Sequence, residues 1–393
     1  MTGQADTGTA AGRLIRRRRH RALAGLGLLG CLALVAGVLS GAGSGARNGS
    51  DAESGAPARS VSSRLGPNTL AGQRTVVGFP GTKIPATVRR GVRNGRIGGV
   101  ILFSDNIPSR SAVRSLTRRL QNLKRPRPMR RYPLLVMTDQ EGGLVKRLPG
   151  APAASAAVMG SRGPAFSRRQ GRLTGRNLRN AGINVNLAPV VDVARPGGNI
   201  AVTDRGFGST VKSVVRTALP FATAMEATGT AATAKHFPGL GSVRLNTDDA
   251  VQRVGLSKAA LRKVDEAAYR PFIRAGVDLV MVGTAIYPAF SGKPAAFEKK
   301  IVTGELRRRL GFSGVTVTDA LGTVAARSFG GARKLTPSAA RAGVDLMLFT
   351  DFRAALRGQD SIADRLRSGR LNRAGFRASV DRILRLRSRL ARR

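Results

Sequence analysis

The sequence predicts a parallel α/β fold, a single-domain (β/α)8 TIM-barrel, and three observations support this prediction. Eight short runs rich in aliphatic and β-branched residues recur along the chain, each followed by a stretch with helical spacing. Eight is the strand number of this barrel, and a region of about 330 residues has its usual size. An open doubly wound sheet is the alternative topology. It would need a phosphate-binding glycine loop after the first run, and Gly-Phe-Pro-Gly at 78–81 is not one.

The alternation of strand and helix patterns favours a parallel sheet that is covered on both faces. A last helix is predicted from Arg373 to the C-terminus, where four apolar residues share one face, and it is expected in the outer ring of the barrel. The eight predicted strands are 75–79, 99–103, 134–138, 184–193, 230–236, 279–286, 315–318 and 346–350.

The N-terminal region is predicted to precede the folded domain. Residues 1–21 form a basic, arginine-rich tail, and 22–43 are an uncharged apolar stretch that suits a transmembrane anchor or a cleavable signal peptide. Residues 44–63 are small and polar, which is typical of a flexible linker, and the barrel is expected over 64–393. Either interpretation of 22–43 places the barrel outside the cytoplasm, anchored to the membrane or secreted.

The net charge of +45 comes from 67 Lys and Arg against 22 Asp and Glu. Such a charge indicates either contact with an anionic cell-wall or membrane surface, or a general preference for arginine. Arginines occur along every helical segment, which favours the general preference. The chain has no zinc-finger spacing and no aromatic strand of the RNA-binding type, so no nucleic-acid partner is expected. We expect a monomer.

Cysteine and histidine are scarce, and this limits the chemistry. Cys31 is the single cysteine, so neither an internal disulfide nor a cysteine metal site is expected. The two histidines are His20, in the basic tail, and His236. One histidine in the folded domain argues against a zinc site, and no cofactor or metal is expected, although an oxygen-only Mg²⁺ site stays open.

Polar side chains follow several predicted strands at the point where each strand ends. In parallel barrels the catalytic residues occupy this edge. A single Asp there would often cap the next helix, but several together indicate a site. Carboxylates and cations in this arrangement suit glycoside hydrolysis, and metal-assisted hydrolysis is the alternative. The charged residues are Asp139, Glu141, Lys146, Arg147, Asp192, Asp204, Arg205, Lys235, His236, Asp319 and Asp351.

Four motifs in this order resemble glycoside hydrolase family 3, and within it the single-domain β-N-acetylhexosaminidase branch. They are Asp-Gln-Glu-Gly-Gly at 139–143, Arg-Gly-Phe-Gly at 205–208, Lys-His-Phe-Pro-Gly at 235–239, and Gly-Phe-Ser-Gly-Val at 311–315 with Thr-Asp at 318–319. The resemblance extends over about 64–390, most of the chain. It implies a (β/α)8 barrel and a retaining mechanism, with Asp319 as the nucleophile. It also implies that the non-reducing-end sugar is bound by Asp139, Arg147, Arg205, Lys235 and His236.

One loop departs from the family pattern. After Lys-His-Phe-Pro-Gly this branch carries Asp-Ser-His, whose histidine is the general acid/base, whereas this chain reads Asn246-Thr247-Asp248. Asp248 or Asp249 is therefore expected to be the acid/base. Asp248 is preferred because it occupies the matched position, and the adjacent Asp249 is expected to raise its pKa. Two alternatives stay open: a good leaving group or an acidic working pH that leaves little need for an acid, and a barrel that binds glycans without cleaving them.

The predicted function is that of an exo-acting retaining β-glycosidase with a carbohydrate substrate. By resemblance the favoured activity is β-N-acetylglucosaminidase acting on cell-wall-derived or other glycans, as in peptidoglycan turnover. A β-glucosidase-type exo-glycosidase and a catalytically inactive glycan-binding barrel are the alternatives.

Overall fold

The computed structural model describes residues 60–392. The predicted basic tail, the predicted anchor or signal segment and most of the predicted linker lie outside these residues. The first element described is a short 3-10 helix, Val61–Arg64. Between residues 60 and 392 there is no helix with the length and apolar character needed to cross a membrane.

Eight parallel strands build the central sheet, in the order β10-β1-β2-β3-β6-β7-β8-β9. Backbone hydrogen bonds from Thr318 to Leu346 (2.9 Å) and from Leu346 to Thr316 (2.8 Å) join the two outer strands and close the barrel. The strands are β1 Thr75–Val77, β2 Gly99–Ile101, β3 Leu135–Thr138, β4 Gln140–Gly142, β5 Val145–Lys146, β6 Val185–Asn186, β7 Ala231–Phe237, β8 Leu279–Val282, β9 Val315–Thr318 and β10 Met347–Phe349. The remaining pair, β4 and β5, forms a small antiparallel hairpin after β3.

Every predicted strand run matches one barrel strand, with β7 extending one residue beyond its run, and this confirms the predicted (β/α)8 fold. Several strands are shorter than their runs. In the run 184–193 only Val185–Asn186 forms regular ladder pairs, and Pro189 within it has no N–H to donate. The apolar residues beyond it are buried, so they contributed to the pattern without extending the strand.

Most of the helices connect successive strands and cover the outside of the barrel, and the last one, α13, follows the final strand. They are α1 Pro67–Gln73, α2 Ala86–Arg93, α3 Arg110–Gln121, α4 Ala156–Arg162, α5 Pro164–Asn180, α6 Asn199–Val202, α7 Val211–Glu226, α8 Lys258–Ala260, α9 Tyr269–Arg274, α10 Val324–Arg327, α11 Ala332–Ala342, α12 Phe352–Arg367 and α13 Arg373–Arg392. Two π-helical segments, Leu261–Asp265 and Lys300–Arg309, complete the connections before β8 and β9. In α3, for example, Ser109 caps the N-terminus, and Val113, Leu116 and Leu120 are buried against the barrel.

Two apolar layers result from the strand alternation. Side chains two residues apart, such as Leu135 and Met137 or Val315 and Val317, belong to the cluster that fills the barrel interior. The residues between them, such as Val136, belong to the larger cluster beneath the helices. The interior is therefore a packed core, and charged strand residues such as Lys235 lie at the carboxyl end.

The helix α13 is predicted for the outer ring, but it closes the N-terminal end of the barrel, so that prediction is wrong. Ile383, Leu386 and Leu390 pack into the interior cluster. Arg387 donates to the carbonyls of Tyr132 (2.9 Å) and Pro133 (2.7 Å), just before β3. An amphipathic pattern identifies the buried face of a helix but not the layer that covers it.

Candidate active site

A pocket of about 390 Å³ opens at the carboxyl end of the barrel strands. Its floor and walls combine aliphatic side chains with charged groups from the ends of β3, β7 and β9 and from the loops beyond the strands, and Phe103 is its single aromatic side chain among the described residues. All seven residues predicted for the site line this pocket: Asp139, Arg147, Arg205, Lys235, His236, Asp248 and Asp319. The structure therefore brings the predicted residues together, as expected for parallel strands.

Lys235 lies near the end of β7 and is almost fully buried, at 2% exposure. Its Nζ lies 2.8 Å from Asp139 Oδ1 and 2.6 Å from Glu141 Oε1. Burial alone would lower the pKa of Lys235, but the charges of these two carboxylates outweigh it, and the pKa is raised. Lys235 is therefore a permanent ammonium whose position is fixed from two sides.

Arg205 approaches Glu141 from the other side as a bidentate partner, with Nε at 2.8 Å and Nη2 at 2.9 Å. Burial would raise the pKa of Glu141, but Lys235 and Arg205 act against it and hold the pKa well below its usual range. Burial would lower the pKa of Arg205, and Glu141 reverses the effect, so the pKa is raised. The group is thus a chain of alternating charges, Asp139, Lys235, Glu141 and Arg205, along one wall of the pocket.

His236 is held by the buried carboxylate of Asp192. Its Nδ1 lies 2.8 Å from Asp192 Oδ2, while Oδ1 accepts backbone N–H bonds from His236 (3.2 Å) and Leu240 (2.7 Å). Because a carboxylate only accepts, Nδ1 carries the hydrogen of this bond, and Nε2 is the ring nitrogen left for the pocket. Asp192 therefore fixes both the imidazole and the turn that follows it.

The hairpin β4–β5 carries Arg147 to the pocket. Gln140 Oε1 accepts the backbone N–H groups of Arg147 (2.9 Å) and Leu148 (2.8 Å), and its amide nitrogen donates to Leu148 O and Ala151 O. The Nε of Arg147 is buried and has no hydrogen-bond partner in residues 60–392. Arg147 is thus a pocket cation with an unused donor.

The loop after β7 reaches the rim of the pocket beside β9. The N–H groups of Val324 and Ala325, at the start of α10, donate to the carbonyls of Asp248 (3.0 Å) and Thr247 (3.3 Å). Thr247 is buried, whereas Asp248 is exposed at the rim, and Asn246 donates to Asp248 Oδ2 at 3.3 Å. Backbone bonds therefore fix the loop on the element that follows Asp319.

The pKa of Asp248 is raised, first because surrounding protein atoms desolvate the carboxylate and next because Asp319 is negatively charged nearby. The sequence attributes this role to Asp249, but Asp249 is exposed, does not line the pocket and is not among the groups that raise this pKa. Asp319 itself is half-buried at the end of β9, where its Oδ1 accepts the N–H of Ala320 at 2.8 Å.

The partners of the cations in the pocket are evident only from the structure. Lys235 and Arg205 both bind Glu141, and within residues 60–392 neither forms an ion pair with Asp319. Glu141 and Asp192 stand out in the sequence as strand-end carboxylates without an assigned role. Their contacts now make them the supports of Lys235, Arg205 and His236. The sequence signal for both is a carboxylate at or close to the end of an apolar run.

Proteins with similar sequences include described glycosyl hydrolases. A protein of Arthroderma benhamiae, described as an uncharacterized secreted glycosyl hydrolase, is 38% identical over 331 residues, which are 82% of this chain and 93% of that protein. A β-hexosaminidase of Xanthomonas oryzae pv. oryzae is 33% identical over 284 residues, 70% of this chain and 82% of that protein.

Among solved structures, a glycoside hydrolase family 3 β-N-acetylglucosaminidase from Paenibacillus sp. str. FPU-7 superposes with a TM-score of 0.78 and 31% identity. The match covers 83% of this chain and 63% of that protein, so this chain spans less than two thirds of its length. The sequence signature described as Glycosyl hydrolase family 3 N terminal domain matches residues 69–386. With most of its length matched in this way, the chain belongs to glycosyl hydrolase family 3.

Proposed function

We propose that this glycoside hydrolase is an exo-acting retaining β-glycosidase, with Asp319 as nucleophile and Asp248 as general acid/base. One observation carries the proposal. A pocket with a wall of fixed charges is also lined by two carboxylates, Asp248 and Asp319, and the loop of Asp248 is hydrogen-bonded to the helix that follows Asp319. Paired carboxylates at such a position are the usual apparatus of retaining glycosidases.

In the first step the Asp319 carboxylate attacks the anomeric carbon as the bond to the leaving oxygen breaks. The Asp248 carboxyl group gives its proton to that oxygen, and a glycosyl-enzyme and a free alcohol result. In the second step Asp248, now a carboxylate, takes a proton from water. The hydroxide oxygen bonds to the anomeric carbon and Asp319 leaves. The configuration is retained after two inversions.

The raised pKa of Asp248 suits the first step, because the acid must still hold its proton when substrate binds. The negative charge of Asp319 contributes to the raised pKa of Asp248. The pair therefore favours the state in which Asp319 is ionised and Asp248 is protonated. Once Asp319 is esterified its negative charge is lost. The pKa of Asp248 then falls, which suits its role as base in the second step.

The charged wall suits a terminal sugar. Lys235, Arg205 and Arg147 line the pocket and can give hydrogen bonds to hydroxyl oxygens, and Asp139, with 17% of its side chain exposed, can accept one. The neighbours that fix these groups leave them pre-oriented before substrate arrives. Binding of this kind favours the non-reducing end of a glycan and therefore exo-cleavage.

For the substrate we propose a terminal β-linked N-acetylglucosamine on cell-wall-derived glycans. The names of the Xanthomonas and Paenibacillus proteins support this choice. A β-glucoside is the second candidate, and it is favoured by the presence of a carboxylate, Asp248, in place of the histidine that the β-N-acetylhexosaminidase branch carries. A carboxylate acid/base is common to retaining glycosidases of many specificities. We also propose that the barrel works outside the cytoplasm, which the predicted N-terminal segment and the name of the Arthroderma protein support.

Turnover of aryl β-glycosides tests the activity, with β-N-acetylglucosaminide and β-glucoside compared from acidic to neutral pH. Cleavage of the first at the higher kcat/KM is expected, and the reverse order would favour the second candidate. No turnover of either would contradict the proposal and favour a barrel that only binds glycans.

Leaving-group dependence tests the acid/base. Asp248→Ala should slow an alkyl glycoside far more than a nitrophenyl glycoside, because only the alkoxide needs protonation. Asp249→Ala is the matched control, since Asp249 is exposed and outside the pocket lining. Equal losses on both substrates in Asp248→Ala would refute the assignment.

A further inference from the structure

We propose that a groove between α3 and α5, separate from the pocket, binds a linear polymer of phosphate esters that carries no bases. The groove lies on the outside of the barrel. Two adjoining surface cavities form it and share Arg114, Arg118 and Asn180.

The floor of this groove is a regular row of cations. Arg110, Arg114 and Arg118 follow one another four residues apart on α3, so they lie on one face of the helix, about 6 Å apart along its axis. All three are exposed. Arg179 and Asn180, at the end of α5, line the opposite side.

The two helices beside the groove carry no acids. Neither α3 nor α5 contains Asp or Glu, and together they carry nine arginines. The side chains of Arg114 and Arg118 have no hydrogen bond or ion pair with any residue between 60 and 392. By comparison, α12 carries Asp360 and Asp364, which pair with Arg96 and Arg367. What distinguishes α3 is that three of its exposed arginines, Arg110, Arg114 and Arg118, line one recess, with no acid on the helix.

The geometry selects the kind of anion. Guanidinium groups bind phosphate through two parallel hydrogen bonds, and a row of them suits a chain with repeated charges better than a single ion. The lining of both cavities contains no aromatic side chain for bases to stack on, which disfavours single-stranded nucleic acid. The cations line a recess rather than a projecting face, which disfavours a flat anionic membrane.

The groove ends next to the candidate active site. Arg110 Nη2 donates to Pro149 O at 3.1 Å, and Leu148 lines the groove while its neighbour Arg147 lines the pocket. A polymer lying along α3 would therefore hold the enzyme with its pocket close to the material to which that polymer is attached. The groove would act as a tether and leave the chemistry of the pocket unchanged.

Binding of fluorescently labelled inorganic polyphosphate to the full chain, measured at several salt concentrations, tests the proposal. The double variant Arg114→Gln/Arg118→Gln is compared with Arg353→Gln/Arg357→Gln. The control pair is also exposed, lies four residues apart on α12 and changes the net charge equally. Both variants keep the basic N-terminal tail, so its contribution cancels. Thermal midpoints equal to that of the parent chain show that each variant is folded.

We expect the α3 variant to bind polyphosphate about tenfold more weakly than the parent. The slope of log affinity against log salt concentration should also become shallower by about two, one for each arginine removed. The α12 variant should stay within about twofold of the parent. Equal losses in both variants would overturn the proposal in favour of attraction by net charge, and so would absence of binding by the parent. The proposal would also be overturned if the parent bound an oligothymidylate as tightly as polyphosphate. It would be overturned likewise if the α3 variant lost binding to phosphatidylglycerol vesicles but kept binding to polyphosphate.

Discussion

Replacing Lys235 with methionine removes the cation that two carboxylates share in the wall of the pocket. The Lys235 side chain is 3% exposed and lies within 2.8 Å of both Asp139 and Glu141. Methionine has a similar length and fills most of the same space, so the effect should come from the charge rather than from a cavity.

The size of the expected loss of stability depends on how Asp139 and Glu141 are compensated once the ammonium group of Lys235 is gone. Removing one partner of a buried ion pair costs about 3–5 kcal/mol, because the other charge is left without compensation. Glu141 keeps its bidentate contact with Arg205, and Asp139, with 17% of its side chain exposed, can regain water. We therefore expect the low end of this range, about 3 kcal/mol, in the free energy of unfolding.

Urea denaturation of the parent chain and of Lys235→Met measures this difference. Arg367→Met is the matched control. Arg367 pairs with Asp364 at 2.6 Å, but both side chains are about half exposed. Such pairs contribute about 0.2–1 kcal/mol. A loss for Lys235→Met no larger than that of the control would refute the reasoning that burial makes this ion pair important.

Three further predictions follow from the same contacts. Glu141 has a lowered pKa, so its contribution to stability is complete above the unfolded pKa of about 4.3 and is lost as the pH falls. Acid unfolding of Glu141→Gln should accordingly be less steep below that pH. Asp192→Asn should lower kcat/KM on an aryl β-glycoside by about 100-fold, because His236 loses its fixed orientation. Asp248 has a raised pKa and must be protonated to act as acid, so kcat/KM should fall as the pH rises through it. Asp248→Asn should abolish that alkaline fall, as pH profiles with a nitrophenyl glycoside would show.

The strand order and the positions of the site residues follow from local patterns. Apolar runs with intervening helical spacing identify all eight barrel strands, and parallel topology then brings their carboxyl ends together. The family resemblance, carried by motifs that flank those ends, is confirmed. These features are predictable because each depends on a short stretch of sequence.

The pairings within the site depend on the three-dimensional fold and are not contained in any one stretch. Lys235 is 96 residues from Asp139, and His236 is 44 residues from Asp192. Sequence spacing shows that these groups share an edge of the sheet, but not which carboxylate binds which cation. The attribution of the raised pKa of Asp248 to Asp249 is wrong for the same reason, because Asp319 is close only in space.

The position of α13 shows a second limit. Its apolar face is evident from the sequence, yet the same face could cover the outside of the sheet or the end of the barrel. The choice depends on contacts made by Arg387 and Arg382, whose partners lie just before β3 and β10.

The identity of the nucleophile is the claim on which the proposed mechanism rests most directly. Incubation with an activated fluorosugar, followed by mass spectrometry of the digested protein, locates the covalent intermediate. We predict one glycosyl adduct on the peptide that contains Asp319, and no adduct in Asp319→Ala. An adduct on another carboxylate, or labelling that persists in Asp319→Ala, would contradict the account.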